Sequence, residues 1–215
     1  ASTISRSHEL GLTEALARGP ERPLILGYHR VVEDFDGTAR TEMPSMLPSA
    51  AMFERHLDLV GRHFRFASLD EIGEHLATGE PFAERVAAVT FDDGYRDNYE
   101  QAFPILQRKG IPAAVFVVTD MVGHGAWQIH DKLFHLMTKA FAVWSDPRRE
   151  LSALLRALGL PAEHLLRHRA ATSPPMAVVS ALLPDLSVAN VRRVMDALES
   201  ITGNGFHNVA LSLTW

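Results

Sequence analysis

Residues 86–95 read Val-Ala-Ala-Val-Thr-Phe-Asp-Asp-Gly-Tyr, a strand-forming run that stops at two adjacent carboxylates and a glycine. Such a run predicts a strand buried on both faces, as in a parallel sheet covered by helices. Side chains alternate along a strand, so Asp92 and Asp93 start on opposite sides. Gly94 accepts either sign of φ and can turn the backbone to bring both carboxylates to one cleft. Two carboxylates at the end of a buried strand are costly unless paired, hydrogen-bonded or bound to a metal. The pair suggests a division of labour in which one carboxylate holds a cation and the other moves protons. The competing reading is a polar turn that closes a strand.

Upstream, Leu24–His29 reads as the first strand, with His29 near its end. On the residues alone, a histidine there reads as a core or rim residue hydrogen-bonded to backbone. Residues 33–48, with Asp34, Asp36, Gly37, Pro44 and Pro48, read as a loop beside that cleft. Met52, Phe53, Leu57, Leu59, Val60 and Phe64 predict a helix packed on a sheet. Ser68 and Glu71 form a capping box for a second helix, Leu69–Leu76.

Downstream, Asp97 is placed to cap a helix with Glu100 three residues on. That helix would run to about Lys109, stop at Gly110, and be kinked or split by Pro104. Ala113–Thr119 reads as a second fully apolar strand. Strand, helix and strand at this spacing form a right-handed βαβ unit, which favours an α/β fold with a parallel sheet or barrel.

From Asp131 the pattern becomes helical. Leu133, Phe134, Leu136, Met137 and Phe141 recur at helical spacing, then Leu151, Leu154, Leu155 and Leu158. Val188, Val191, Val194, Met195, Leu198 and Ile201 follow, with Ser187 as a cap. These stripes read as core rather than binding surface. The expected organisation is an N-terminal arm, residues 1–23, and a domain over 24–215 containing a helical insertion at about 131–203.

The 215 residues, 47% hydrophobic and 22% charged, suit one globular domain with a sizeable core. A net charge of −5 makes no electrostatic case for nucleic acid. Without cysteine there are no disulfides or thiolate metal sites, so a metal would rest on histidine and carboxylate ligands. No apolar run approaches the ~18 residues of a spanning helix. Residues 1–20 lack the apolar middle of a signal peptide, although one could have been removed before Ala1. Cytoplasmic is the default expectation.

Thr90-Phe91-Asp92-Asp93-Gly94-Tyr95 resembles the first motif of the polysaccharide deacetylases (NodB-homology, carbohydrate esterase family 4). Tyr28-His29-Arg30-Val31 and Ala113-Ala114-Val115-Phe116-Val117 fall where that family has similar segments, and the resemblance covers roughly residues 24–131. It implies a distorted (β/α) barrel with its active site at the C-terminal ends of the strands. In the family the first aspartate acts as general base. The second holds a divalent metal with two histidines of a His-(Ser/Thr)-x-x-His motif. The resemblance therefore makes Asp92 the candidate base, Asp93 the candidate ligand of a divalent metal, zinc first, and His29 a substrate-orienting residue. The substrate class implied is an N-acetylated carbohydrate, cleaved to an amine and acetate.

The sequence departs from that pattern at the histidines. His164 and His168 are the only pair at i, i+4; Leu165 replaces the Ser or Thr, and they read as solvated surface residues. His124, His130, His135 and His207 fit the motif no better. Leu211-Ser212-Leu213-Thr214-Trp215 resembles the segment preceding the histidine motif, with Thr214 as a helix cap. The preferred expectation is a deacetylase fold incomplete at the C-terminus, prone to self-association through its unpaired strand edge. The rival is a non-catalytic saccharide-binding or interaction protein on a truncated fold. A haloacid-dehalogenase-type phosphotransferase is disfavoured, because Gly94 stands where its second aspartate belongs.

Overall fold

The computed structural model describes residues 22–123, 127–162, 175–203 and 213. Among these the chain divides into two compact units, one of residues 22–35, 46–123 and 213, the other of 36–45, 127–162 and 175–203.

The first unit runs β1 (Leu24–Tyr28), α1 (Ala50–Gly61), β2 (Arg65–Phe66), α2 (Leu69–Thr78), β3 (Val86–Phe91), α3 (Phe103–Lys109) and β4 (Ala113–Val115). β3 is its axis, and all six of its residues are buried. β1 lies parallel to it from Leu24 beside Ala87 to Tyr28 beside Phe91. β2 pairs in parallel with Val86 and Ala87, and β4 with Val89–Phe91. The Ala87 and Phe91 carbonyls accept from the Ala67 and Phe116 N–H groups, while Tyr28 O accepts from the Asp92 N–H. Odd residues of β3 thus bond toward β2 and β4, and even ones toward β1. The result is an α/β unit with a parallel sheet.

Both faces of β3 are covered, as a run apolar but for Thr90 requires. Val89 and Phe91 pack with Tyr28, with Phe53 and Leu57 of α1, and with Ile105 and Leu106 of α3. Val86 and Ala88 pack on the other side with Ile72 of α2 and Phe82. Ser49 and Ser68 cap α1 and α2, accepting from the Met52 and Glu71 N–H groups at 3.1 Å each.

Four local expectations change. Residues 33–48 contain short helical turns at Phe35–Thr38 and Pro44–Met46. β2 was unannounced, since two residues are too few to set a period. The strand expected over 113–119 is only Ala113–Val115, and Val115, Phe116 and Val117 are exposed. Asp97 makes no capping hydrogen bond; a π-helical turn, Asn98–Ala102, precedes α3, so the split falls where Pro104 demands it.

The second unit holds α4 (Ile129–Val143), α5 (Pro147–Ala157), α6 (Pro175–Asp185) and α7 (Val188–Thr202). Its buried stripes include Leu133, Leu136 and Met137, Leu151 and Leu155, and Val191, Val194 and Leu198. Val188 and Ile201, expected in the core, are exposed. No described helix is long and apolar enough to cross a membrane.

Candidate active site at the ends of β1 and β3

The pairing of β1 with β3 dictates what meets beyond the last paired residues. Partners in register on neighbouring parallel strands project to the same face. Tyr28 and Phe91 are such partners, and their rings lie 5.8 Å apart within one core cluster. The next residues, His29 and Asp92, therefore turn together to the opposite face. His29 Nε2 stands 4.0 Å from Asp92 Oδ2, with both side chains about half exposed (42% and 49%).

Asp93 follows in the left-handed region at φ 69°, the one described non-glycine residue with positive φ, and Gly94 repeats that conformation at φ 68°. The reversal expected at Gly94 thus begins one residue earlier, on the second aspartate. A non-glycine residue held there carries strain of about 1–3 kcal/mol, characteristic of functional turns. Gly94 is required for a second reason: a Cβ on it would lie 2.9 Å from Val117 Cγ1. Its carbonyl accepts from the Leu213 N–H at 3.0 Å, and the Leu213 carbonyl accepts from Gly123 N–H at the same distance.

Arg30, which follows His29, is buried. Its Nε donates to Asp97 Oδ2 at 2.7 Å, with the two side chains only 7% and 12% exposed. The guanidinium carbon sits 5.0 Å above the ring of buried Tyr95. Burial pushes the Asp97 carboxyl above its usual range, while the Arg30 charge and hydrogen bond and the Val31 N–H pull the other way. Burial likewise drives the Tyr28 phenol well up, and its oxygen is 3.5 Å from His56 Nδ1.

Among the predicted site residues, His29 and Asp92 are brought together, and Asp93 sits beside them on the strained turn. His124, His164, His168, His207 and Thr214 lie outside the described residues. His130 and His135 are in the helical unit; His130 is 3.8 Å from buried Asp131, and the ring centroid of His135 is 5.2 Å from that of Trp127. Among the described residues no three His, Asp or Glu side chains are grouped as a metal would need, so those residues alone do not complete a divalent-cation site. Sequence reasoning missed the Arg30–Asp97 pair. Its one signal was a guanidinium directly before the apolar Val31-Val32, which if buried needs a carboxylate partner.

The family profile described as polysaccharide deacetylase matches residues 79–145, which contain the Asp92–Asp93 turn. YxkH of Bacillus subtilis (strain 168), named after the polysaccharide deacetylases, is 26% identical over 132 residues, covering 54% of this chain and 47% of its own length. The poly-beta-1,6-N-acetyl-D-glucosamine N-deacetylase of Staphylococcus aureus (strain MSSA476) is 31% identical over 108 residues, covering 46% of this chain and 37% of its own. The chain thus spans less than half the length of these curated relatives. The solved structure of IcaB from Ammonifex degensii aligns with a TM-score of 0.44 at 19% identity, over 76% of this chain and 98% of that one. The motif on its strand end and the family profile spanning it make residues 79–145, with the Asp92–Asp93 turn, similar to the polysaccharide deacetylases.

Proposed function

We propose that the protein acts in metal-dependent hydrolysis of N-acetyl groups on an N-acetylglucosamine-type polysaccharide or oligosaccharide. One observation carries this reading: His29 stands 4.0 Å from Asp92 on one face, at the C-terminal ends of two parallel strands. The name of the Staphylococcus aureus relative supports the substrate class.

In this reading Asp92 takes the proton from the attacking water as the water oxygen bonds to the acetamido carbon. The C–N bond then breaks, the sugar amine leaves with a proton, and acetate remains. His29, half exposed beside Asp92, orients the acetamido group against that carboxylate. Asp93 presents its carboxylate from the left-handed turn as one ligand of a divalent cation, zinc being the first to try, with further ligands from outside the described residues. A cation bound there would polarise the amide carbonyl.

The test pairs calorimetric zinc titration of the parent and Asp93→Ala with acetate release from N-acetylglucosamine oligomers. It is run on the longest natural protein containing this sequence. Zinc binding lost in Asp93→Ala, with acetate release falling about a hundredfold or more in Asp92→Asn, supports the reading. Oligomer binding without acetate release by the parent would instead make this a saccharide-binding protein.

A further inference from the structure

We propose that Arg30 and Asp97 are positioning residues: their buried pair locks the end of β1 onto the turn after β3 and so holds His29 against Asp92. The proposal rests on the deacetylase reading for its consequence in catalysis, and on geometry alone for the lock.

The fold does not need this pair for its stability. A guanidinium and a carboxylate at 7% and 12% exposure have lost most of their hydration, and an apolar pair of similar volume would often serve stability as well or better. Arg30 directly follows His29, and Asp97 lies five residues after Asp92. Together with the Asp92 N–H donating to Tyr28 O, the 2.7 Å bond from Arg30 Nε to Asp97 Oδ2 closes a ring that runs through both candidate residues. Two further contacts narrow its freedom. The guanidinium stacks 5.0 Å over Tyr95, inside the same turn, and the Val31 N–H acts on the same carboxylate. Directional bonds of this kind fix register where an apolar contact would slide. His29 and Asp92 are about half exposed and are not held together by a close hydrogen bond of their own, so their adjacency is imposed from behind. A displacement of about 1 Å in such a constellation can cost about a hundredfold in rate.

The discriminating variant is Arg30→Met with Asp97→Leu, which replaces the pair by apolar groups. Its acetate-release kcat is expected to fall about tenfold to a hundredfold with KM little changed, while the protein stays folded. In a His29→Ala background the same replacement should cost nothing further, because the residue being positioned is gone. Parent-like kcat in the folded double variant, or losses that multiply in the His29→Ala background, would overturn the proposal. Should the double variant not fold, Asp97→Asn keeps the shape and the acceptor but not the charge; a smaller drop in kcat that also disappears with His29→Ala is expected, and parent-like kcat again overturns it. If the parent releases no acetate, the deacetylase reading has failed, and amide hydrogen exchange judges the lock separately. Exchange of the His29–Val31 amides should quicken about tenfold in the folded variant with Val86–Phe91 unchanged. Unchanged exchange at His29–Val31 rejects the lock.

Discussion

Two arginines stand at opposite ends of the same sheet, each with a carboxylate oxygen 2.7 Å from its Nε. Arg30 and Asp97, beyond the C-terminal ends of β1 and β3, are 7% and 12% exposed. Arg65 and Glu84, where β2 and β3 begin, are 43% and 60% exposed, and Arg65 also binds Glu71. The Nε–carboxylate distance matches, and hydration separates the two pairs most. The exposed pair gains little because water would solvate either ion almost as well. The buried pair has surrendered that water, so each partner depends on the other. Costly polar burial is thus concentrated at the end of the sheet that carries Asp92 and Asp93, where geometry matters most.

The sharpest way to break this contrast is Asp97→Ala. It takes the carboxylate from a buried guanidinium and should cost about 3–5 kcal/mol, read as a fall in the denaturant midpoint. A cost below about 1 kcal/mol, the range of surface pairs, would mean that water reaches Arg30 and that the two ends are alike.

The turn itself offers the next largest effects, with opposite signs at neighbouring residues. Gly94→Ala combines φ 68° with a Cβ at 2.9 Å from Val117 Cγ1, and should destabilise by about 2–3 kcal/mol. Val117→Ala in that background should recover the steric part and leave the backbone part. Asp93→Gly relieves the strain at φ 69° and should stabilise the fold by up to about 1 kcal/mol while removing the candidate metal ligand. A more stable and inactive Asp93→Gly would mark the strain as held for function. A destabilised one would mean the carboxylate supports the turn.

Much of this end of the sheet was legible in the sequence. The run 86–91, apolar but for Thr90, announced a strand covered on both faces, and the Ser68 cap was readable because its acceptor and Glu71 are local. What failed was non-local. Asp97 and Glu100 carry a capping spacing, yet the Asp97 carboxylate is claimed by Arg30, 67 residues earlier in the chain, and no local pattern encodes that competition. Ala113–Thr119 read as a fully apolar strand because hydrophobicity records what a residue can bury, whereas its exposure here depends on which chain segments lie beside it. Asp92 and Asp93 were visible as a pair. That the left-handed reversal starts on Asp93 was not, since Gly94 alone would have sufficed.

A smaller effect concerns pH. Burial pushes the Asp97 carboxyl above its usual value in the folded protein, despite Arg30. An acid whose folded pKa exceeds its unfolded one holds more protons when folded. Its stabilising contribution is complete below the unfolded pKa and is lost as pH rises through the folded pKa. The denaturant midpoint of the parent should therefore decline across that window relative to Asp97→Asn, whose profile lacks this component. Parallel profiles would mean that the ion pair fully offsets burial.

The smallest effect belongs to the exposed pair. Hydrogen bonding to Arg65 holds the Glu71 carboxyl below the usual carboxylate range. The sign is opposite to that of Asp97: stability is present above the unfolded pKa and lost as pH falls through the folded one. Both side chains face solvent, however, and at 1 M salt the screening length shrinks to about 3 Å. Arg65→Ala should shift the midpoint far less than Asp97→Ala, and what shift there is should shrink as salt is added. The Asp97→Ala shift should persist in salt, because mobile ions cannot enter a contact that excludes water. If the Arg65 shift proved as large and as salt-resistant, the stem of Arg65 would be holding β2 on β3 by packing, and burial of charge would not be what separates the two ends.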